Sequence, residues 1–132
     1  MPNLLMKDFA YLKMWPRELF SKKHGARLLI REEVEEMEFP GIYILYKDED
    51  PFYVGRANRL VSRLHSHANK ITSKHYQFWT HFSAFALNPK VKDRAQKLAQ
   101  LEAVLIAAMP KARNGSTPRF KRVQIPKSMR LL

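Results

Sequence analysis

The stretch GIYILYKDEDPFYVG, residues 41–55, decides the architecture. Two β-branched and aromatic runs flank the polar turn KDEDP, the composition of a β-hairpin. Side chains alternate across a strand. Ile42, Ile44 and Tyr46 therefore share one side of the first strand, and Tyr43 and Leu45 the other. On the second strand Phe52 and Val54 oppose Tyr53. The two apolar sets suit a core face, which leaves Tyr43 and Tyr53 together on the remaining side. For the tyrosines to be neighbours, the turn must hold an odd number of residues or a strand must bulge. A three-residue loop, Lys47 to Glu49, would pair them. Gly55 is expected to end the second strand, where the missing side chain permits close approach. Tyrosine is common in strands, and β-propensity alone accounts for both.

Working toward the C-terminus, Leu60, Val61, Leu64 and Ala68 form one apolar stripe, which predicts a helix over about 58–69 with Asn58 as N-cap. The aromatic segment 78–87 predicts a third strand, with Trp79 and Phe82 in the core. A longer helix is expected over 91–109, stopped by Pro110. The order strand, strand, helix, strand, helix indicates an α+β sandwich, a sheet covered by helices. Toward the N-terminus, residues 1–39 read as helical. Val34 and Met37 follow Leu29 and Ile30 at helical spacing, Pro16 interrupts, and Gly25 separates two short helices. The chain of 132 residues is expected to form one domain. Within it, 1–38 is a helical extension, 39–115 the core and 116–132 a basic tail.

Hydrophobic residues at 45% and charged residues at 27% suit a globular chain. The absence of cysteine excludes disulfides, thiolate zinc sites and thiol nucleophiles. No apolar run approaches the roughly 20 residues that span a bilayer, and the N-terminus lacks the order of a signal peptide. A cytoplasmic protein is expected, with no membrane partner. The net charge of +12 favours a polyanion, and nucleic acid is the commonest such partner. The charge is uneven. Five glutamates fall within residues 31–39, read as a solvated helix face, while residues 111–132 carry seven basic residues and no acid.

Arg59, Arg63 and His67 recur at i, i+4 and i+8, a basic stripe beside the apolar face that suits phosphate. Alone it is equally a solvated face. His65 and His67 point about 200° apart on a helix and should not share a metal. On the second helix Leu98, Leu101, Leu105, Ile106 and Met109 outline a buried face, and Glu102 falls within it. A buried carboxylate needs a counter-charge. That partner is either Arg63 or another basic side chain, or a bound cation beside a substrate phosphate.

Together these pieces resemble the GIY-YIG nucleases. Gly41-Ile42-Tyr43, nine residues, then Tyr53-Val54-Gly55 is similar to the family signature, with YVG for the second tripeptide. Arg63 stands ten residues after the second tyrosine, His67 one turn later, and Glu102 on the later helix. Pro110 and Asn114 match a weaker element that follows. The resemblance spans about 39–115 and implies a central three-stranded antiparallel sheet flanked by helices. It also implies a metal-dependent endonuclease that hydrolyses DNA phosphodiester bonds, structure-selective or weakly sequence-specific. Glu102 would hold Mg²⁺ or Mn²⁺. Arg63 would stabilise the phosphoryl oxygens, and Tyr43, Tyr53 and His67 would include the general base. Tyr43 as base requires a cationic neighbourhood that favours phenolate. Gly55, Arg56, Arg59 and Asn114 are the expected substrate contacts. One site cuts one strand, so double-strand cleavage would need a dimer or sequential nicks. The competing readings are a nucleic-acid-binding module of the same fold that does not cleave, and a protein–protein adaptor using the acidic segment.

Overall fold

The computed structural model describes residues 8–69, 79–108 and 121–130. The hairpin is present as β4 (Gly41–Lys47) and β5 (Asp50–Ala57). Gly41 opposes Ala57, Tyr43 opposes Gly55, and Leu45 opposes Tyr53. The register then shifts, with Tyr46 opposite Pro51 and Lys47 opposite Asp50. Phe52 is therefore an extra residue, a bulge, and the turn itself is the pair Asp48-Glu49. The odd offset needed to put both tyrosines on one side is supplied by the bulge and not by a three-residue loop. Asp48, at φ 57°, takes the left-handed conformation of that short turn.

The rest of the core follows the expected order. Helix α2 (Leu60–Asn69) follows the hairpin, then β6 (His81–Leu87), then α3 (Arg94–Ala108). A short helix α1 (Leu29–Glu33) precedes them. Strand β6 pairs antiparallel with β4.

The N-terminal extension overturns the helical expectation. Residues Phe9–Pro16 form a strand, β1, antiparallel to β6. The sheet thus has four full strands in the order β5-β4-β6-β1, not three. A two-residue strand β7 (Lys121–Arg122) adds to β1 in parallel. Strand β1 lacks alternation because it is buried on both faces and is itself bulged between Leu12 and Trp15. The irregularity puts Met14 at φ 54° and takes its N–H out of the ladder. The buried Ser83 hydroxyl opposite accepts that N–H at 3.0 Å and donates to the Tyr46 hydroxyl at 3.1 Å. A 3₁₀ turn (Arg17–Ser21) and a small ribbon follow, β2 (Lys23–His24) and β3 (Arg27–Leu28), which turns at Gly25 with φ 67°. After α1 comes a second 3₁₀ turn, Glu35–Glu38, which keeps Ile30, Val34 and Met37 inward.

Both faces of the sheet are covered. On one side Tyr43 and Leu45 join Leu12, Trp15, Phe20, Leu60, Leu64, Trp79 and Phe82 in the larger core. On the other, Ile42, Ile44 and Val54 join Phe9, Tyr11, Phe85, Leu98 and Leu101. The tyrosine side is therefore no open face: Tyr43 is 1% exposed. Helix α2 lies on the tyrosine side and α3 on the isoleucine side. Strand β5 is the sheet's margin between them.

Candidate active site

Tyr43 projects from β4 across its neighbour β5, and Gly55 makes that possible. A Cβ at position 55 would fall inside van der Waals contact of the Tyr43 Cζ and hydroxyl oxygen. Gly55 lies within β5 and does not end it. Gly41 is equally constrained, because a Cβ there would strike the Phe85 carbonyl oxygen and Leu60. Each glycine of the two tripeptides thus makes room: one for the phenol, one for the packing of β4 on β6 and α2.

The phenol ends beside His67, with its hydroxyl 2.8 Å from Nε2. Tyr53, half-buried, completes a ring cluster. Its centroid is 6.0 Å from that of Tyr43 and 6.0 Å from that of His67, and the Tyr43 and His67 centroids are 5.6 Å apart. The last turn of α2 is fixed from outside. Trp79 Nε1 donates to the His67 carbonyl at 3.2 Å, and Arg17 Nη2 donates to the Ala68 carbonyl at 3.0 Å. These carbonyls have no acceptor role left within the helix, so side-chain donors satisfy them. Neither role could be read in the sequence, because both donors come from segments remote from α2.

Burial is the main reason Tyr43 resists ionisation, and its pKa is driven far above the ordinary phenol range. Tyr53 adds to this by charge and hydrogen bond. Arg63 opposes it, and Glu102 reinforces it. The cationic neighbourhood expected to favour phenolate is therefore outweighed by desolvation. A phenol so held keeps its proton, and its hydroxyl and His67 Nε2 share one hydrogen bond whose direction follows the imidazole tautomer.

The family model for the GIY-YIG catalytic domain matches residues 39–113, more than half of the chain. The chain belongs to the GIY-YIG family. Similar solved structures include the GIY-YIG N-terminal endonuclease domain of UvrC from Thermotoga maritima bound to magnesium, its catalytic divalent cation. It is 28% identical over 61% of this chain and 90% of that one, with a TM-score of 0.45. A point mutant of the same domain, bound to its catalytic divalent cation, is 28% identical over 61% of this chain and 89% of that one, also at 0.45. No curated protein matches the chain in sequence.

In this GIY-YIG domain the expected site residues are drawn from both layers. Tyr43, Tyr53 and His67 are in contact on the α2 side, with Arg63 exposed on the same helix. Glu102 belongs to α3 on the opposite face, yet its charge acts on the Tyr43 phenol. The margin at β5 is where the two layers meet. Glu102 is not enclosed among leucines as the helical wheel suggested. Only Leu98 and Leu101 of α3 are buried, Ile106 is 53% exposed, and the Glu102 side chain is 27% exposed. Its counter-charge is Arg56 on β5, whose Nε lies 3.8 Å from Oε1. Arg59 is bonded to Glu38 at 2.7 Å. Asn114, Pro110 and Met109 lie outside the described residues.

Glu102 fits a divalent cation. Among the described residues no three His, Asp or Glu side chains cluster to cage one. A single open carboxylate does not need such a cage for Mg²⁺, which keeps most of its shell as water and substrate phosphate. At 3.8 Å the Arg56 contact is a charge pairing and not a hydrogen bond.

Proposed function

We propose that the chain is a divalent-metal-dependent endonuclease that hydrolyses DNA phosphodiester bonds at the β5 margin. The observation that carries this reading is the Tyr43–His67 pair at 2.8 Å beside Tyr53, within the fields of both Arg63 and Glu102. Membership of a catalytic-domain family and the net charge of +12 support it.

Glu102 would hold the cation, Mg²⁺ or Mn²⁺, which when bound would supply neutralisation of the negative charge that develops in phosphoryl transfer. Arg63 meets the phosphoryl oxygens with a planar, permanently charged donor set. Tyr43 acts as a relay and not as a standing phenolate. As water attacks phosphorus, its proton passes to the Tyr43 oxygen while the phenol gives its own proton to His67 Nε2. The pair ends with a neutral tyrosine and a protonated imidazole, and the leaving oxygen departs from the opposite side of phosphorus. Tyr53 orients the attacking water, and Arg56 keeps the unloaded Glu102 in place.

Plasmid nicking tests this. Cutting is expected with Mg²⁺, lost with a chelator, and reduced about 10²- to 10³-fold or more in Glu102→Ala. Nicking by Glu102→Ala at the wild-type rate would overturn the assignment.

A further inference from the structure

The Glu38 carboxylate sits between two guanidiniums. Arg31 Nε donates to Oε2 at 2.6 Å, and Arg59 donates from Nε and Nη2 to Oε1 at 2.7 Å. Burial raises the affinity of this acid for its proton, but hydrogen bonds from Arg59 and Arg31 outweigh it and hold the carboxyl below its ordinary range.

Glu38 stands between two surface cavities. One, of about 520 Å³, is lined by Ala26, Arg27, Leu28, Arg31, Glu32 and Glu38. The other, of about 320 Å³, is lined by Asn58, Arg59, Ser62, Arg63 and Ser66. The first belongs to the N-terminal extension, the second to α2 and the segment before it. The two cavities are lined by four arginines, of which Arg27, Arg31 and Arg59 pair with the two carboxylates, Glu32 and Glu38. The other acids of the 31–39 block, Glu33, Glu35 and Glu36, line neither cavity. Arg27, on the β2–β3 ribbon, is 79% exposed despite its contact with Glu32 at 3.6 Å.

We infer that Arg27, Arg31 and Arg59 form a track for the phosphodiester backbone of nucleic acid, continuous with Arg63. Glu38 is the positioning residue that fixes the two central guanidiniums. Guanidiniums repeated along open grooves, with amide and hydroxyl groups between them, suit successive phosphates. The extension ahead of residue 39, outside the family match, is then a substrate-gripping element as well as part of the core. This rests on reading Arg63 as a phosphate contact.

The test measures binding of a fluorescein-labelled DNA duplex by anisotropy, in a Glu102→Gln background that removes cleavage. The doubly substituted Arg27→Gln, Arg31→Gln chain is expected to bind about tenfold more weakly, with a log–log salt slope shallower by about 2. Glu38→Gln adds positive charge. If the bridge orients the arginines, that variant binds no more tightly than the parent. Unchanged affinity and slope in the double variant, or tighter binding by Glu38→Gln, would overturn the inference. Arginine-dependent binding by a chain that never nicks supports the track and strikes only the endonuclease reading. Nicking with arginine-independent binding strikes the track alone.

Discussion

Gly55 shows how much of this site rests on a missing atom. Tyr43 occupies the volume that any Cβ at position 55 would fill. Gly55→Ala is expected to displace the hydroxyl from His67 and to lower nicking by about 10²-fold, the usual cost of misplacing a catalytic group by an ångström. A melting transition that stays cooperative would show that the loss is local. An unchanged rate would mean the phenol does not need its present position. The phenol also has a signature at alkaline pH. Its folded pKa is raised above the unfolded value, so the stability from burying it is intact below about pH 10 and declines as pH rises beyond that. Unfolding midpoints of the wild type should therefore fall above pH 10, and less steeply in Tyr43→Phe. Identical profiles would show that Tyr43 ionises as an ordinary surface phenol.

Among the elements, the legible ones carried either a clean period or a β-forming composition. The β4–β5 hairpin, α2 and α3 were readable from their face patterns, and β6 from its aromatic content although it is buried on both faces. Strand β1 was not, since its bulge at Lys13-Met14 shifts the alternation midway. The Phe52 bulge was foreseeable only as one of two ways to satisfy a parity requirement. Glu102 illustrates a different limit. A helical wheel knows the side of a helix but not what covers it, and α3 sits at the margin of the sheet with one flank open. The tyrosines, Arg63 and His67 were legible through the family motif, whereas Glu38, Trp79 and Arg17 were visible only once remote segments met. The extension's role as a strand leads to a prediction. Leu12, Trp15, Leu19 and Phe20 are all buried in the core. Removing one such side chain costs roughly 3 kcal/mol, and total stability is about 5–15 kcal/mol. A chain beginning at Phe39 should therefore lack a cooperative unfolding transition by circular dichroism. A sharp transition in that chain would show the family core to be self-sufficient.

At the scale of the whole molecule, the proposed reading has charge governing approach and geometry governing cutting. With a net charge of +12, association with DNA should weaken linearly in log–log terms as salt rises, by about 0.9 per phosphate contacted. Anisotropy titrations over a salt series measure this slope. A flat response would remove the electrostatic basis of the DNA assignment.

The division of the site between two layers has a consequence for the chain while it is being made. A nascent polypeptide that has emerged only through β6 carries the phenols, the imidazole and Arg63 but not the acid of α3. On the proposed reading it is harmless to the DNA or RNA around it. On that same reading, competence to cut arrives only when α3 has left the ribosome and docked, so a late step of folding arms the site.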